Sequence, residues 1–557
     1  MNDPDPTSEQ EAALHAFATG GSIALTAGAG TGKTSTLKMM AKSAPRKTGL
    51  YFAYNKAIAE DAKRRFPYNV TCTTAHGLAY RALGHRFKDR LNGPRLRADT
   101  VAQILGVTGP LPLGDGKFLP STAVARVAME TVQRFCFTDA PALTPEHVPQ
   151  VNGVEDQPMF ASVILPLARL VWKDAQSATG RLRYQHDYYL KAWSLTRPTL
   201  DFDFLLLDEA QDANACVASV FLAQKAQKIA VGDAMQAIYG WRNAVDFLSQ
   251  FKADYRLPLS ESFRFGQPVA DEANKWLTIL SADMRLTGRG GPSRVGELDA
   301  PDAVLCRTNA EAVGRVLAAM NDNVQVALVG GGEEMKRLAE AARDLQAHRT
   351  THHPELVAFR SWEQVQEYVQ TGGGGDLKTF VKLIDQYGPD TVIRACEATV
   401  PEASAKLIVS TAHRSKGREW PRVQIAADFE PPDPSERVSR SEAMLAYVAV
   451  TRARTELDAQ TLRWIEQVLH APHRWPVDAD GRDPKPGRVA SSAAAPVAAS
   501  AVPPTGQGAM TVSVTLPPLV AEGLREVAEN HHISIEQAAE YAIKFTIDRL
   551  QPAPMSV

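Results

Sequence analysis

Residues 27–34, Ala-Gly-Ala-Gly-Thr-Gly-Lys-Thr, follow a short apolar run, Ser22-Ile23-Ala24-Leu25-Thr26, and precede a helical pattern. Gly28, Gly30 and Gly32, with Ala29 and Thr31 between them, let the chain turn in ways closed to other residues and bring backbone N–H groups up to a phosphate. Lys33 supplies a cation for β- and γ-oxygens, and the Thr34 hydroxyl is of the kind that ligates magnesium. A second apolar run, Phe204–Leu207, ends in Asp208-Glu209-Ala210-Gln211-Asp212. Asp208 is expected to hold a magnesium ion through water, and Glu209 to act as the general base that orients an attacking water. The two segments imply one nucleoside-triphosphate site. Its phosphate loop departs from the strict eight-residue pattern at the first position, where Ala27 replaces glycine.

The elements that must position these groups alternate. Strand patterns at Gly21–Ala27, Leu50–Tyr54 and Val70–Thr73 are separated by helices from Gly32 and over Lys56–Arg65, and strands resume at Phe204–Leu207, Ile229–Val231 and Tyr255–Leu259. A second set reads as Ala303–Cys306, Val324–Val329, Leu407–Thr411 and Val423–Ala427. Such a rhythm predicts an α/β protein with two parallel-sheet domains. Residues 76–200 and 350–400 lose the strand signal and read as helical insertions. The expected division is 1–75 with 201–258, 76–200, 259–349 with 401–475, 350–400, a Pro/Ala-rich linker at 476–509 that cannot bury a core, and a strand–helix–helix module at 510–551.

The chain has 557 residues, 44% hydrophobic and 22% charged, which suits a globular protein of roughly three or four domains. Net charge is −2, so any nucleic-acid surface must be a local groove rather than a global field. The five cysteines, Cys72, Cys136, Cys216, Cys306 and Cys396, form no CxxC pair, which argues against a metal cluster or disulfide framework. With no run of 18 apolar residues and a polar N-terminus, the expectation is a soluble cytoplasmic protein associated with the nucleoid, without membrane contact.

Further motifs narrow the class. The phosphate loop, DEAQD, Gly232–Arg242 (GDAMQAIYGWR), Thr411–Trp420 (TAHRSKGREW) and Tyr447–Ala453 (YVAVTRA) occur in the order seen in UvrD/Rep-type superfamily 1 DNA helicases, and the chain resembles that family from about residue 7 to 465. The wording Tyr54-Asn55-Lys56-Ala57 is similar to the F-box DNA helicase branch, though no F-box is evident. The resemblance implies two RecA-like domains, ATP and Mg2+ as cofactors, and single-stranded and tailed duplex DNA as partners. Gln10 resembles the glutamine that reads the adenine edge and Phe263 the aromatic that stacks on it. Arg264 and Arg452 resemble two arginines that reach the γ-phosphate, Gln236 the residue coupling that phosphate to DNA, and Glu419 the one near the ribose. Ser35 stands where relatives often place a base-stacking arginine, which shifts adenine recognition toward Gln10 and Phe263. Arg418 replaces a small apolar residue.

For DNA, the resemblance points to Tyr54, Asn55, Thr74, His76, Arg307 and His413 as contacts. Tyr239 and Trp241 are aromatic platforms for unpaired bases, with core packing the alternative for each. The implied activity is an ATP-dependent DNA helicase or translocase, with 3′→5′ polarity by resemblance. The rival is an ATPase that moves along or remodels single strands without separating duplexes. A nuclease fusion lacks a carboxylate–lysine constellation after residue 470, and a purely regulatory DNA binder would need a dead catalytic core. The 510–551 module resembles a ribbon–helix–helix fold; Thr511, Ser513 and Thr515 would face a DNA groove, or the module would pair two chains as a homodimer. His352-His353 and His531-His532 read as solvated loop residues.

Overall fold

The computed structural model describes residues 5–477 except 94–95, 115–116, 152–153, 155, 239–246, 352, 354, 357–358, 360 and 371–374. Tyr239, Trp241, the linker from 478 onward, and the 510–551 module therefore lie outside the described residues, as does the whole of the unit at 489–557.

Two six-stranded sheets organise residues 5–477. The first contains β1 (Ile23–Ala27), β2 (Gly49–Phe52), β3 (Val70–Thr73), β4 (Phe204–Leu207), β5 (Gln227–Gly232) and β6 (Tyr255–Leu259), in the spatial order β3-β2-β4-β5-β1-β6. The second contains β7 (Arg294–Val295), β8 (Ala303–Cys306), β9 (Val326–Leu328), β10 (Leu407–Thr411), β11 (Trp420–Ile425) and β12 (Ala453–Asp458), ordered β7-β12-β11-β8-β10-β9. Every pairing in both sheets is parallel. These are the two RecA-like α/β domains the sequence implies.

Strand side chains alternate between faces, so each sheet feeds two cores. In the first, Ile23, Leu25, Tyr51, Leu206, Ile229 and Val231 pack with Phe17 of helix α1 (Ser8–Thr19) and Leu37 and Met40 of helix α2 (Lys33–Ser43). Their neighbours Ala24, Leu50, Phe52, Leu205 and Leu207 turn the other way and join Phe135, Ile164, Tyr188 and Trp193 of the helical insertion. The insertion is thus one cover of the sheet. In the second sheet Leu305, Val423 and Ile425 pack with Trp276 and Tyr447, while Val304, Cys306 and Val409 face Val313, Leu338, Phe380 and Val392. The helices within 350–400, Trp362–Gln370, Gly375–Tyr387 and Pro389–Glu397, share that last core with helices Asn309–Asn321 and Glu333–Gln346.

The elements differ from expectation in several places. Leu111–Gly114 and Lys117–Leu119 form an antiparallel hairpin inside the segment read as helical; apolar runs around Gly114-Asp115-Gly116 carry its signal, which is hairpin turn chemistry. Strand β12 escapes the sequence reading because Ala-Arg-Thr-Glu-Leu-Asp is mostly polar, with its two exposed positions adjacent rather than alternating. Strand β11 begins at Trp420, earlier than read, and β2 stops at Phe52, which releases Tyr54 into a loop. No helix among the described residues is long and apolar enough to cross a membrane. All five cysteines are buried and unpaired.

Candidate active site and nucleic-acid interface

The chemistry-bearing loops of the first domain leave the carboxyl ends of its strands. β1 runs into the phosphate loop, β2 into Tyr54-Asn55, β3 into Thr74-Ala75-His76, β4 into Asp208-Glu209 and β5 into Asp233. In open parallel sheets this edge is where ligands bind, because crossovers leave a crevice there and helix N-termini point into it.

Gly30 and Gly32 have φ of +74° and +77°, the left-handed region that glycine enters without penalty. Gly32 is also the N-cap of α2 and supplies no side-chain acceptor, so the first amides of this 11-residue helix remain available to an anion. A Cβ on Gly30 would sit 2.5 Å from the Cβ of Arg264, and one on Gly32 would lie 3.2 Å from Gln10 Nε2 and 3.7 Å from the Phe263 ring. The loop is thus the meeting point of Gln10, Phe263 and Arg264. Phe263 is 47% exposed and its N–H donates to the Gly30 carbonyl at 2.9 Å. Gln10 is buried; it closes a capping box with Thr7 and donates to Thr36 Oγ1 at 3.1 Å. Ala27, Ala29 and Thr31 are buried, Thr31 Oγ1 donating to the Gly28 carbonyl at 3.0 Å, and Ser35 is half-buried on α2.

Asp208 Oδ2 accepts from the hydroxyls of Thr34 at 2.9 Å and Tyr51 at 2.6 Å, while its Oδ1 accepts from the Glu209 N–H at 2.9 Å. Burial, with Glu209 beside it, raises its pKa. A buried carboxylate and a hydroxyl in contact are hard oxygen ligands, and a divalent cation would offset that desolvation, so Thr34 and Asp208 fit Mg2+ held jointly with phosphates. Lys33 Nζ lies 3.4 Å from Glu209 Oε1. Burial works to lower the Lys33 pKa, but Glu209, Asp233 and Asp208 outweigh it and the net shift is upward. Burial pushes the Glu209 carboxyl up, and Lys33, Lys416 and a 2.6 Å hydrogen bond from Gln211 overcome this and hold it at about 2. Glu209 has φ +49°, a strained conformation for a non-glycine residue.

The second domain reaches the same place. Arg452 is buried, and its Nη2 is 3.3 Å from Gln236 Oε1. Burial and the nearby Arg264 guanidinium lower its pKa to about 9. Gln236 Nε2 donates to Asp233 Oδ2 at 2.7 Å, the Tyr447 hydroxyl donates to the same oxygen at 2.9 Å, and the Ala29 N–H reaches Tyr447 Oη at 3.3 Å. Arg264 Nε donates to Glu419 Oε2 at 2.6 Å and its Nη1 to the Thr451 carbonyl at 3.0 Å. Lys416 Nζ donates to both Asp212 oxygens, at 2.7 and 2.6 Å, and to the Gln236 carbonyl at 2.5 Å. The residues that sequence reasoning missed are Tyr51, Gln211, Asp212, Asp233, Lys416 and Tyr447. All but Tyr51 lie inside the motifs named above, but their roles depend on contacts between segments far apart in the chain.

Four of the expected DNA contacts converge. Tyr54, Asn55, Thr74 and His76 line one cavity of about 860 Å³ whose wall continues to Asp208, Glu209 and Asp212. Asn55 and Thr74 are N-caps, accepting from the N–H groups of Ile58 and Gly77 at 2.9 Å each, so two helix N-termini open onto this cavity. His76 Nε2 is 3.0 Å from Asp187 Oδ1. Arg307 lies elsewhere, in a second cavity of about 800 Å³, its Nε paired with Glu442 at 2.8 Å. His413 sits on the short helix Ala412–Ser415 at the end of β10.

Comparison with known proteins agrees with this architecture. A family model described as "AAA domain" matches residues 10–242, and one described as "UvrD-like helicase C-terminal domain" matches residues 332–462. The chain belongs to the UvrD-like superfamily 1 helicases. Among curated relatives, it is 30% identical over 480 residues to F-box DNA helicase protein 1 of Schizosaccharomyces pombe, covering 77% of this chain and 54% of that protein. It is 27% identical over 497 residues to F-box DNA helicase 1 of Gallus gallus, covering 80% and 48%. An 88-residue stretch is 38% identical to the ATP-dependent DNA helicase PcrA of Leuconostoc citreum, covering 14% and 12%. The chain spans about half the length of the two F-box DNA helicases it matches.

Proposed function

We propose that this protein is an ATP-driven motor on single-stranded DNA that unwinds tailed duplexes with 3′→5′ polarity. The carrying observation is that Lys33 lies 3.4 Å from Glu209 at the edge of the first sheet while Arg452, more than 200 residues further along the chain, contacts Gln236 and lies near enough to feel the charges of Glu209 and Asp233. Charge accumulates on the transferring phosphoryl group, so cations supplied from two domains make hydrolysis conditional on their apposition. Mg2+ bound at Thr34 and Asp208 would neutralise phosphate charge; Glu209, ionised across the physiological range, orients water. Phe263 and Gln10 take the adenine. The cavity lined by Tyr54, Asn55, Thr74 and His76 takes the DNA backbone, because two helix N-termini and an imidazole face it. Tyr239 and Trp241 stack on bases, and Arg307 and His413 extend the track. Residues 510–551 pair two chains.

A second reading, translocation that strips or remodels bound proteins without strand separation, is favoured by the helices of 350–400, which are packed into the core of the second sheet. ATP turnover with and without single-stranded DNA, followed by strand displacement on 3′- and 5′-tailed duplexes, tests both. DNA-stimulated turnover with displacement of 3′-tailed substrates supports the first reading, and stimulation without displacement supports the second. No turnover in either condition refutes both. Trp241→Ala is expected to weaken stimulation by DNA, and truncation after residue 475 to leave motor activity while changing the oligomeric state.

A further inference from the structure

Glu209 carries the one strained backbone in the catalytic carboxylate loop, and its orientation is held by the next three residues. The Asp212 N–H donates to the Glu209 carbonyl at 2.9 Å, closing the single turn Ala210–Asp212, and Gln211 grips the Glu209 carboxylate. Asp212 is in turn held from the second domain. The Lys416 side chain is 8% exposed and the Asp212 side chain 2%, and the ammonium spans both carboxylate oxygens and the Gln236 carbonyl. Lys416 therefore ties three things together: the turn that fixes Glu209, the residue that meets Arg452, and the end of β10 in the second sheet. Asp212 also lines the cavity of Tyr54, Asn55, Thr74 and His76. On the reading that Glu209 orients the attacking water, we propose that Lys416 is a positioning residue, which clamps Asp212 from the second domain and so makes the orientation of Glu209 depend on the apposition of the two domains.

The consequence is a separation of turnover from binding. Lys416 and Asp212 act on the turn after β4, whereas the phosphates of a nucleotide are met by the loop after β1, so the clamp acts first on the geometry of the base and reaches the phosphate loop only through the 3.4 Å contact of Glu209 with Lys33. Removing Lys416 alone would strand a buried carboxylate and destabilise the fold. The test is therefore the double variant Asp212→Asn/Lys416→Met, which leaves no buried charge unpaired, beside Lys416→Arg, which keeps the cation. In the full chain, the double variant is expected to keep its melting temperature and its KM for ATP within about twofold while kcat falls about tenfold or more, with Lys416→Arg recovering part of the loss. Wild-type kcat in the double variant overturns the proposal, as does a kcat loss matched by an equal rise in KM or by a lowered melting temperature. Absence of ATP hydrolysis by the wild-type protein would overturn the functional reading itself, and this proposal with it.

Discussion

The Tyr447 hydroxyl donates to Asp233 Oδ2 at 2.9 Å and stands 3.3 Å from the N–H of Ala29, so a side chain of the second domain touches both the loop after β5 and the phosphate loop. Asp233 is fully buried, its carboxyl pushed up by that burial and stabilised by Gln236 and Tyr447. One carboxylate thereby ties together residues separated by more than 200 positions. The physical consequence is that the two domains share a polar network beside the phosphate loop as well as an apolar boundary.

Tyr447→Phe removes one donor from Asp233 and one acceptor from Ala29 without changing ring packing. Because both groups are buried, the change is expected to destabilise the protein by about 1–3 kcal/mol. Urea unfolding of the two proteins measures this directly, and an unchanged midpoint would show that water replaces the hydroxyl at no cost.

On the proposed function, Lys33→Ala and Glu209→Gln each remove a charge from the hydrolytic centre. Each is expected to lower kcat by roughly 10²–10³-fold or more, the range for deleting one preorganised group that acts in the transition state. Steady-state turnover at saturating ATP checks this. Lys33→Ala is additionally expected to raise KM, because on the proposed function Lys33 also meets the nucleotide in its ground state, whereas Glu209→Gln is expected to leave KM near the wild-type value.

The pH dependence follows from Asp212 and Glu209. Burial raises the Asp212 pKa to about 6 against the pull of Lys416, while Glu209 is held at about 2. Protonation of Asp212 below about pH 6 weakens the Lys416 clamp, and Glu209 stays ionised throughout that window. The acid limb of kcat is therefore expected near pH 6, and Asp212→Asn is expected to show a lower kcat with no limb there. For stability the sign is opposite: the folded state binds the extra proton between the unfolded value near 4 and the folded value near 6, so the contribution of Asp212 declines as pH rises across that interval. Glu209 behaves conversely, contributing stability above its unfolded pKa near 4.3 that is lost as pH falls toward 2.

His76→Ala tests the groove. His76 Nε2 lies 3.0 Å from Asp187 Oδ1 in the cavity that the proposed function assigns to the DNA backbone, and on that reading the imidazole meets a phosphate oxygen. The variant is expected to raise the concentration of single-stranded DNA needed for half-maximal stimulation by about five- to tenfold, equivalent to about 1–1.4 kcal/mol. Titration with oligonucleotides at two salt concentrations measures it; unchanged half-saturation would place the DNA track elsewhere.

Much of the first domain is legible in the chain itself. The phosphate loop, the apolar run before Asp208 and the helix over Lys56–Arg65 are local features, governed by glycine conformations, a continuous apolar stretch buried on both faces and the N-cap at Asn55. The same locality explains the misses. Strand β12 is mostly polar and only half of its six positions are buried, so its pairing with β11 and β7 is decided by the sheet and not by its own pattern. The hairpin strands Leu111–Gly114 and Lys117–Leu119 are only four and three residues long, too short to show the alternation that marks a strand.

The amino-acid order alone determined which groups are present for phosphate chemistry and in which turns they sit, since a turn is built from neighbours in the chain. Only the tertiary structure decided which of them meet: Lys416 with Asp212, Tyr447 with Asp233, Arg452 with Gln236, Tyr51 with Asp208. Those contacts join residues from about 150 to more than 200 positions apart. Tyr51 meets Asp208 because neighbouring parallel strands share one edge; Lys416, Tyr447 and Arg452 arrive there because the second domain is apposed to that edge, and burial makes each polar partner obligatory.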